Sequence, residues 1–179
     1  MNDDTSKVDI IKKHISSYPD FPKKGIIFRD LFSILREPSV FALLKEILIN
    51  RVKSNFPNVE CIAALDSRGF LLGPLIALDL QLPFVPIRKR GKLPGKVISE
   101  EYSLEYGKDV FEIQQESITQ GEKVLLVDDL LATGGSLRAS CKLIEKCEAV
   151  VVGCLVVIEI QALKGAEKVD APLHSIIKY

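Results

Sequence analysis

The chain has 179 residues, of which 47% are hydrophobic and 27% charged. That length and balance suit one globular domain with a sizeable core and exclude a fibrous or disordered chain. Lys plus Arg equal Asp plus Glu at 24 each, so no global field draws the protein to nucleic acid or a membrane surface. Any anion site has to be built locally.

Cys61, Cys141, Cys147 and Cys154 form no C-x-x-C pair. Cys61 and Cys154 lie inside apolar runs, where a thiol behaves as a small hydrophobe. Structural thiols in a reducing cytosol are expected. The start, MNDDTSKVDIIKKH, lacks the apolar core of a signal peptide. No window approaches the ~18 consecutive apolar residues of a membrane span. The expectation is a cytoplasmic protein with neither nucleic-acid nor membrane partners.

In chain order, Val8, Ile11 and Ile15 at helical spacing predict a short amphipathic helix over 5–17. YPDFPKKG (18–25) breaks it with two prolines and a glycine. Residues 39–54 follow Pro38 and Ser39, a helix-start signal, and read as a second helix. VECIAAL (59–65) is a compact apolar run and predicts a buried strand. GFLLGPLIALDLQ (69–81) reads as the next helix, with Pro74 admissible only near its first turn.

PFVPI (83–87) is a short strand, and 88–108 are polar, basic and Gly-rich. DVFEIQQ (109–115) alternates like a strand at a sheet edge. KVLLVDD predicts another buried strand, followed by a loop and a helix over 136–147. AVVVGCLVVIEI (149–160), the longest β-branched run, is expected as a central strand, and HSIIKY (174–179) as a short terminal one. Unbroken hydrophobic strands alternating with helices indicate an α/β fold with a central parallel sheet flanked by helices. Ligands of such sheets bind beyond the carboxyl ends of the strands, where Asp66, Asp128 and Asp129 fall.

VLLVDDLLATGGS (124–136) puts two adjacent carboxylates before a loop of small residues. Buried charges at such a place cost several kcal/mol if nothing meets them. Thr133, Gly134, Gly135 and Ser136 leave backbone N–H groups free to close on one anion, and a helix starting near Ser136 adds its positive end. The stretch is neither G-x-x-x-x-G-K-[ST] nor G-x-G-x-x-G. A sugar phosphate fits, with vicinal hydroxyls donating to Asp128 and Asp129 and the phosphate held by the loop. A divalent cation would approach these acids through water.

The same stretch resembles the phosphoribosyl pyrophosphate (PRPP) binding motif of the type I phosphoribosyltransferases. PDFPKKGIIFRD (19–30), ALDSRGFLLGP (64–74), IRKRGKLPGK (87–96), YSLEYGK (102–108) and LKGAEK (163–168) match, in the same order, the branch of that family that acts on adenine. The resemblance implies the type I fold, one domain over 1–179 with a small N-terminal hood at 1–35 and a flexible catalytic loop at 95–110. It also implies a homodimer, Mg²⁺ as cofactor held by PRPP and water with no direct protein ligand, and transfer of the phosphoribosyl group from PRPP to adenine to give AMP and pyrophosphate.

Residue by residue, the resemblance assigns ribose and 5′-phosphate binding to Asp128, Asp129, Ala132, Thr133, Gly134, Gly135 and Ser136. Pyrophosphate falls to Asp66, Ser67, Arg68, Arg88, Lys89 and Lys92. Arg68 has a fork that suits phosphate oxygens. The basic run 88–96 also reads as a solvated surface turn. Adenine falls to Ile27, whose backbone C=O and N–H match the amino and ring-nitrogen pair, to Phe28 as a stacking surface, and to Arg29 and Leu130. Glu105, with Tyr106 beside it, is the expected acid/base group on a lid. The plainer reading of 100–108 is a solvent-facing β-hairpin. A transferase for another purine and a PRPP-sensing regulator of nucleic-acid binding are the alternatives; the latter needs a basic recognition helix that residues 1–56 lack.

Overall fold

The computed structural model describes residues 2–104 and 107–179. They group into two compact units, Met1–Arg51 and Val52–Tyr179. In the first, α1 (Asn2–His14) precedes a two-stranded antiparallel ribbon of β1 (Ser16–Pro19) and β2 (Ile27–Asp30), then the short α2 (Phe32–Leu35) and most of α3 (Pro38–Asn55). Ile11, Ile15, Leu31, Ile34 and Leu44 are buried. Lys7 reaches Glu46 at 2.8 Å and Arg51 reaches Asp4 at 3.5 Å, so charged side chains tie α1 to α3. The first helix ends three residues before the periodicity does, because Ser16 and Ser17 pair with Asp30 and Arg29 in the ribbon.

The second unit is built on a seven-stranded sheet. Its strands are β3 (Cys61–Leu65), β4 (Phe84–Lys89), β5 (Val97–Leu104), β6 (Gly107–Gln114), β7 (Lys123–Leu131), β8 (Val150–Glu159) and β9 (Leu173–Lys178). Their order is β5-β6-β4-β3-β7-β8-β9. β4, β3, β7, β8 and β9 run parallel, and β5 and β6 add an antiparallel hairpin at one edge. The expected α/β architecture is what forms.

Helices α4 (Gly73–Leu80) and α5 (Gly135–Lys146) cover different faces. Alternate residues of β3, Cys61, Ala63 and Leu65, share a buried cluster with Leu137, Cys141 and Leu143 of α5. Ala64, pointing the other way, meets Gly73 of α4 so closely that a Cβ on Gly73 would lie 2.7 Å from it. Pro74 stands in the first turn of α4, where its missing N–H costs nothing. The four thiols are free; Cys61, Cys141 and Cys154 are buried and Cys147 is half-buried.

Two strand placements need correction. A loop at 95–110 was one expectation and a β-hairpin the plainer reading of 100–108, and the described part pairs from Val97–Gln114 through Leu104–Gly107 as a hairpin. That hairpin covers DVFEIQQ, so β6 is second in the sheet and β5 is the edge. β8 lies between β7 and β9, interior but sixth in order, while β3 holds the middle. Among the described residues no helix is long and apolar enough to cross a membrane.

Candidate functional site

The strand order reverses between β3 and β7: the chain leaves β3 toward β4 on one side and leaves β7 toward β8 on the other. Their carboxyl ends therefore open a crevice, the place where parallel α/β sheets bind ligands. A cavity of about 360 Å³ lies there, lined by Asp66 to Arg68 after β3, Lys89 at the end of β4, and the continuous run Asp128 to Leu137. Of the residues named from sequence, Asp66, Ser67, Arg68, Lys89, Asp128, Asp129, Leu130, Ala132, Thr133, Gly134, Gly135 and Ser136 meet at this one cavity.

The acidic pair stands on the strand itself. β7 continues through Leu131 because β8 is long enough to pair Leu130 with Ile158 and Leu131 with Glu159. Asp129 is 4% exposed. Its Oδ2 lies 2.9 Å from Arg68 Nε as an ion pair. That approach is not a directed hydrogen bond, and Oδ2 is left as a buried acceptor among the described residues. The Asp129 N–H donates to Asp128 Oδ1 at 2.9 Å.

Burial drives the Asp128 carboxyl well above the usual carboxylate range, and the Asp129 charge beside it pushes the same way. Burial raises Asp129 too, against the opposing charge of Arg68. A pair under such strain is short of positive or donating groups. Hydroxyl donors, a hydrated cation or both would relieve it.

The loop after β7 owes its shape to glycine. Gly134 has φ +80°, and a Cβ there would come 2.3 Å from the Gly165 carbonyl. Gly165 answers in kind, since its own Cβ would lie 2.2 Å from the Ala132 carbonyl. LKGAEK thus presses backbone on backbone against the loop, a role its sequence alone does not reveal. Gly134 caps α5 without a side-chain hydrogen bond. The first N–H groups of a 12-residue helix accordingly face the loop, with the positive end of the dipole.

The loop after β3 is held from both sides. A Cβ on Gly69 would stand 2.8 Å from the Val127 carbonyl of β7, so only glycine lets the two loops approach. The Asp66–Ser67 peptide is cis. Arg88 Nε donates to Asp66 Oδ2 at 3.1 Å and Nη1 to the Lys92 carbonyl at 3.2 Å. Arg88 also stands 6.0 Å from the centre of the Phe70 ring. Neither Arg88 nor Lys92 lines the cavity. They brace its wall instead.

Ile27, Phe28 and Arg29 lie on β2 of the first unit. Ile27 is exposed, Phe28 packs edge-to-face on Phe21 with ring centres 5.1 Å apart, and Arg29 donates to Ser17 Oγ. Glu105 and Tyr106 lie outside the described residues. Sequence reasoning passed over Tyr102, Asp109 and Glu112, polar residues of the hairpin that bond across strands. Their signal was present in the alternation of 109–115, which placed Asp109 and Glu112 on a strand without showing what they faced.

A family model described as phosphoribosyl transferase domain matches residues 32–178. The adenine phosphoribosyltransferase of Drosophila pseudoobscura is 50% identical over 97% of this chain and 96% of its own length. A solved adenine phosphoribosyltransferase from Saccharomyces cerevisiae, complexed with an imino-altritol bisphosphate and adenine, superposes with a TM-score of 0.94. It is 41% identical over 97% of this chain and 99% of that one. The Trypanosoma brucei adenine phosphoribosyltransferase, solved with AMP, pyrophosphate and ribose-5-phosphate, gives 0.88 at 28% identity, over 96% and 79%.

Proposed function

The chain belongs to the adenine phosphoribosyltransferases, within the phosphoribosyl transferase domain family, and we propose that it transfers the 5-phosphoribosyl group of PRPP to adenine, releasing pyrophosphate and forming AMP. The observation that carries the proposal is the single cavity in which an anion loop, an under-compensated acidic pair, Arg68 and Lys89 converge. A ligand with a phosphate, vicinal hydroxyls and a pyrophosphate matches that list group for group. Adenine and AMP in the two solved relatives support the choice of base and product.

In this reading the Ala132–Ser136 loop binds the 5′-phosphate and fixes the sugar, so binding energy is spent on orientation. Asp128 and Asp129 accept the ribose hydroxyls and favour positive charge on the ring as the leaving group departs. Arg68 and Lys89 stabilise the charge that builds on pyrophosphate. Asp66 and Ser67 add donors and an acceptor to that end, while Arg88 and Lys92 hold the wall behind. Glu105 manages the proton of the base, with Tyr106 beside it.

The family resemblance assigns base choice to Ile27, Phe28, Arg29 and Leu130. The Ile27 C=O and N–H match adenine, whereas hypoxanthine reverses both polarities, leaving unmatched groups that cost ~1–3 kcal/mol each.

Mg²⁺ fits the acidic pair, whose burial and spare Oδ2 call for positive charge. No cluster of three His, Cys, Asp or Glu among the described residues could hold the ion alone. Asp128 and Asp129 would hold it through water, with PRPP supplying the rest. When bound, the ion neutralises phosphate charge. In this proposal the enzyme acts as a homodimer, on the strength of the family resemblance, and in the cytoplasm, where its free thiols stay reduced.

The test is AMP formation from PRPP with adenine, hypoxanthine or guanine, with and without Mg²⁺, in the natural protein and in Glu105→Gln. Adenine-only, Mg²⁺-dependent turnover that falls sharply in the variant is expected. Equal turnover with hypoxanthine would overturn the base assignment, and an unaffected variant would overturn the role of Glu105.

A further inference from the structure

At the edge of the cavity the β5–β6 hairpin carries a carboxylate that neither the phosphate loop nor the acidic pair requires. Asp109 of β6 stands opposite Tyr102 of β5 in the ladder. Its Oδ2 lies 3.0 Å from Lys89 Nζ and accepts the Tyr102 hydroxyl at 3.2 Å. Its Oδ1 accepts the Val110 N–H at 2.9 Å. A lysine from β4 and a tyrosine from β5 thus meet on one side chain of β6.

Lys89 is the lysine among the cavity-lining residues, and its side chain is 55% exposed. Asp109 is its side-chain partner among the described residues. Tyr102 is fixed more firmly. It is 9% exposed and stacks on Phe111 with ring centres 4.7 Å apart. Burial and the Asp109 charge push its hydroxyl up to about 12, against the pull of the neighbouring Ser136 side chain. The hydroxyl therefore keeps its proton and donates to Asp109 at physiological pH. Ser136 is the last residue of the phosphate loop.

We propose that Asp109 is a positioning residue for the leaving-group end of the site, holding Lys89 against the cavity while the Tyr102 hydroxyl holds Asp109 in place. The proposal rests on the reading that the cavity takes PRPP. Two effects of Asp109 on pyrophosphate oppose each other. Its negative charge repels the ligand, but the carboxylate is partly exposed and water screens it. Its grip acts at 3.0 Å, where screening is weaker than at ligand distance, and orders a lysine with four rotatable bonds before the ligand arrives. Ordering wins, so removing the carboxylate weakens PRPP binding and leaves adenine binding unaltered.

The experiment is a double-mutant cycle of Asp109→Asn and Lys89→Gln, read by steady-state kinetics and by calorimetric titration of PRPP with Mg²⁺. Asn preserves shape and removes the charge. Asp109→Asn is expected to raise KM and Kd for PRPP about fivefold, with KM for adenine and kcat within about twofold of the parent. In the Lys89→Gln background the same substitution is expected to change PRPP binding less than twofold. Asp109→Glu, which restores the charge, recovers part of the loss. Equal effects in both backgrounds, tighter PRPP binding, or a parallel rise in KM for adenine would overturn the role. Absent turnover of the parent protein would sink the assigned reaction, while titration of PRPP would still decide for or against Asp109.

Discussion

β7 and β6 each carry a pair of carboxylates and use them in opposite ways. On β7, Asp128 and Asp129 are adjacent and raised above the ordinary carboxylate range, Asp129 is buried, and among the described residues its Oδ2 keeps no directed hydrogen bond. On β6, Asp109 and Glu112 are satisfied. Glu112 accepts the Gly91 N–H at 2.8 Å and orders the turn after β4. Burial pushes Asp109 up, but the hydrogen bonds from Lys89 and Val110 outweigh it, and the net shift is down. The first pair holds unmet charge ready for a ligand. The second uses its charge to hold protein groups in place. Stability and function pull apart at the first and coincide at the second.

The largest break in this contrast is Asp128→Asn. Loss of the ribose-facing charge is expected to lower kcat/KM about a hundredfold or more, measured with saturating adenine and varied PRPP. The same substitution should stabilise the free protein. Because the native carboxyl is raised, the native state holds more protons than the unfolded one above about pH 4, so stability falls as pH rises. Removing the group removes that slope. Melting curves should place the variant about 2–4 °C above the parent at pH 7, with the gap closing toward pH 4. A variant that melts lower at pH 7 would show that the pair is satisfied in the free protein.

Arg68→Met comes next. It strands a buried Asp129 and is expected to cost about 2–3 kcal/mol in urea unfolding at pH 7. The cost shrinks as pH falls, because protonating Asp129 removes the uncompensated charge. A pH-independent loss would point to packing instead. On the hairpin, Glu112→Ala leaves the Gly91 N–H without its acceptor and is expected to cost about 1–2 kcal/mol. The smallest effect belongs to Lys123→Gln. Its pair with Glu60 at 3.2 Å is exposed on both sides, and the urea midpoint should not move measurably.

Gly134→Ala tests the loop itself. A Cβ 2.3 Å from the Gly165 carbonyl cannot be accommodated without moving backbone. PRPP affinity is expected to fall at least tenfold in titration, with a smaller loss of melting temperature.

The parallel strands were legible because burial on both faces leaves unbroken apolar runs, as in KVLLV and VVVGCLVVIE. The phosphate loop was legible because small residues between an apolar strand and a helix have few other uses. The hairpin was legible only as an alternative over 100–108, and its extent was not. Residues 97–104 read as aperiodic because Glu100 and Glu101 take partners or water instead of alternating with apolar neighbours; Glu100 meets Lys146 at 2.6 Å. Strand order was hidden for a similar reason. Alternation in DVFEIQQ says that one face is buried, but not that another strand covers its edge.

Fold class, the acidic pair, the loop and the chemistry they suit follow from the order of residues alone, because hydrophobic period, glycine placement and adjacent charges are local properties. That order placed Gly165, Tyr102 and Asp109 in the chain without a task. Only the tertiary structure set Gly165 against the Ala132–Gly134 backbone, and Lys89, Tyr102 and Asp109 on one carboxylate. Those contacts join residues distant in the chain, or residues facing each other across strands whose pairing the local pattern leaves open. Their energies depend on distance and burial, which exist only once the sheet has formed.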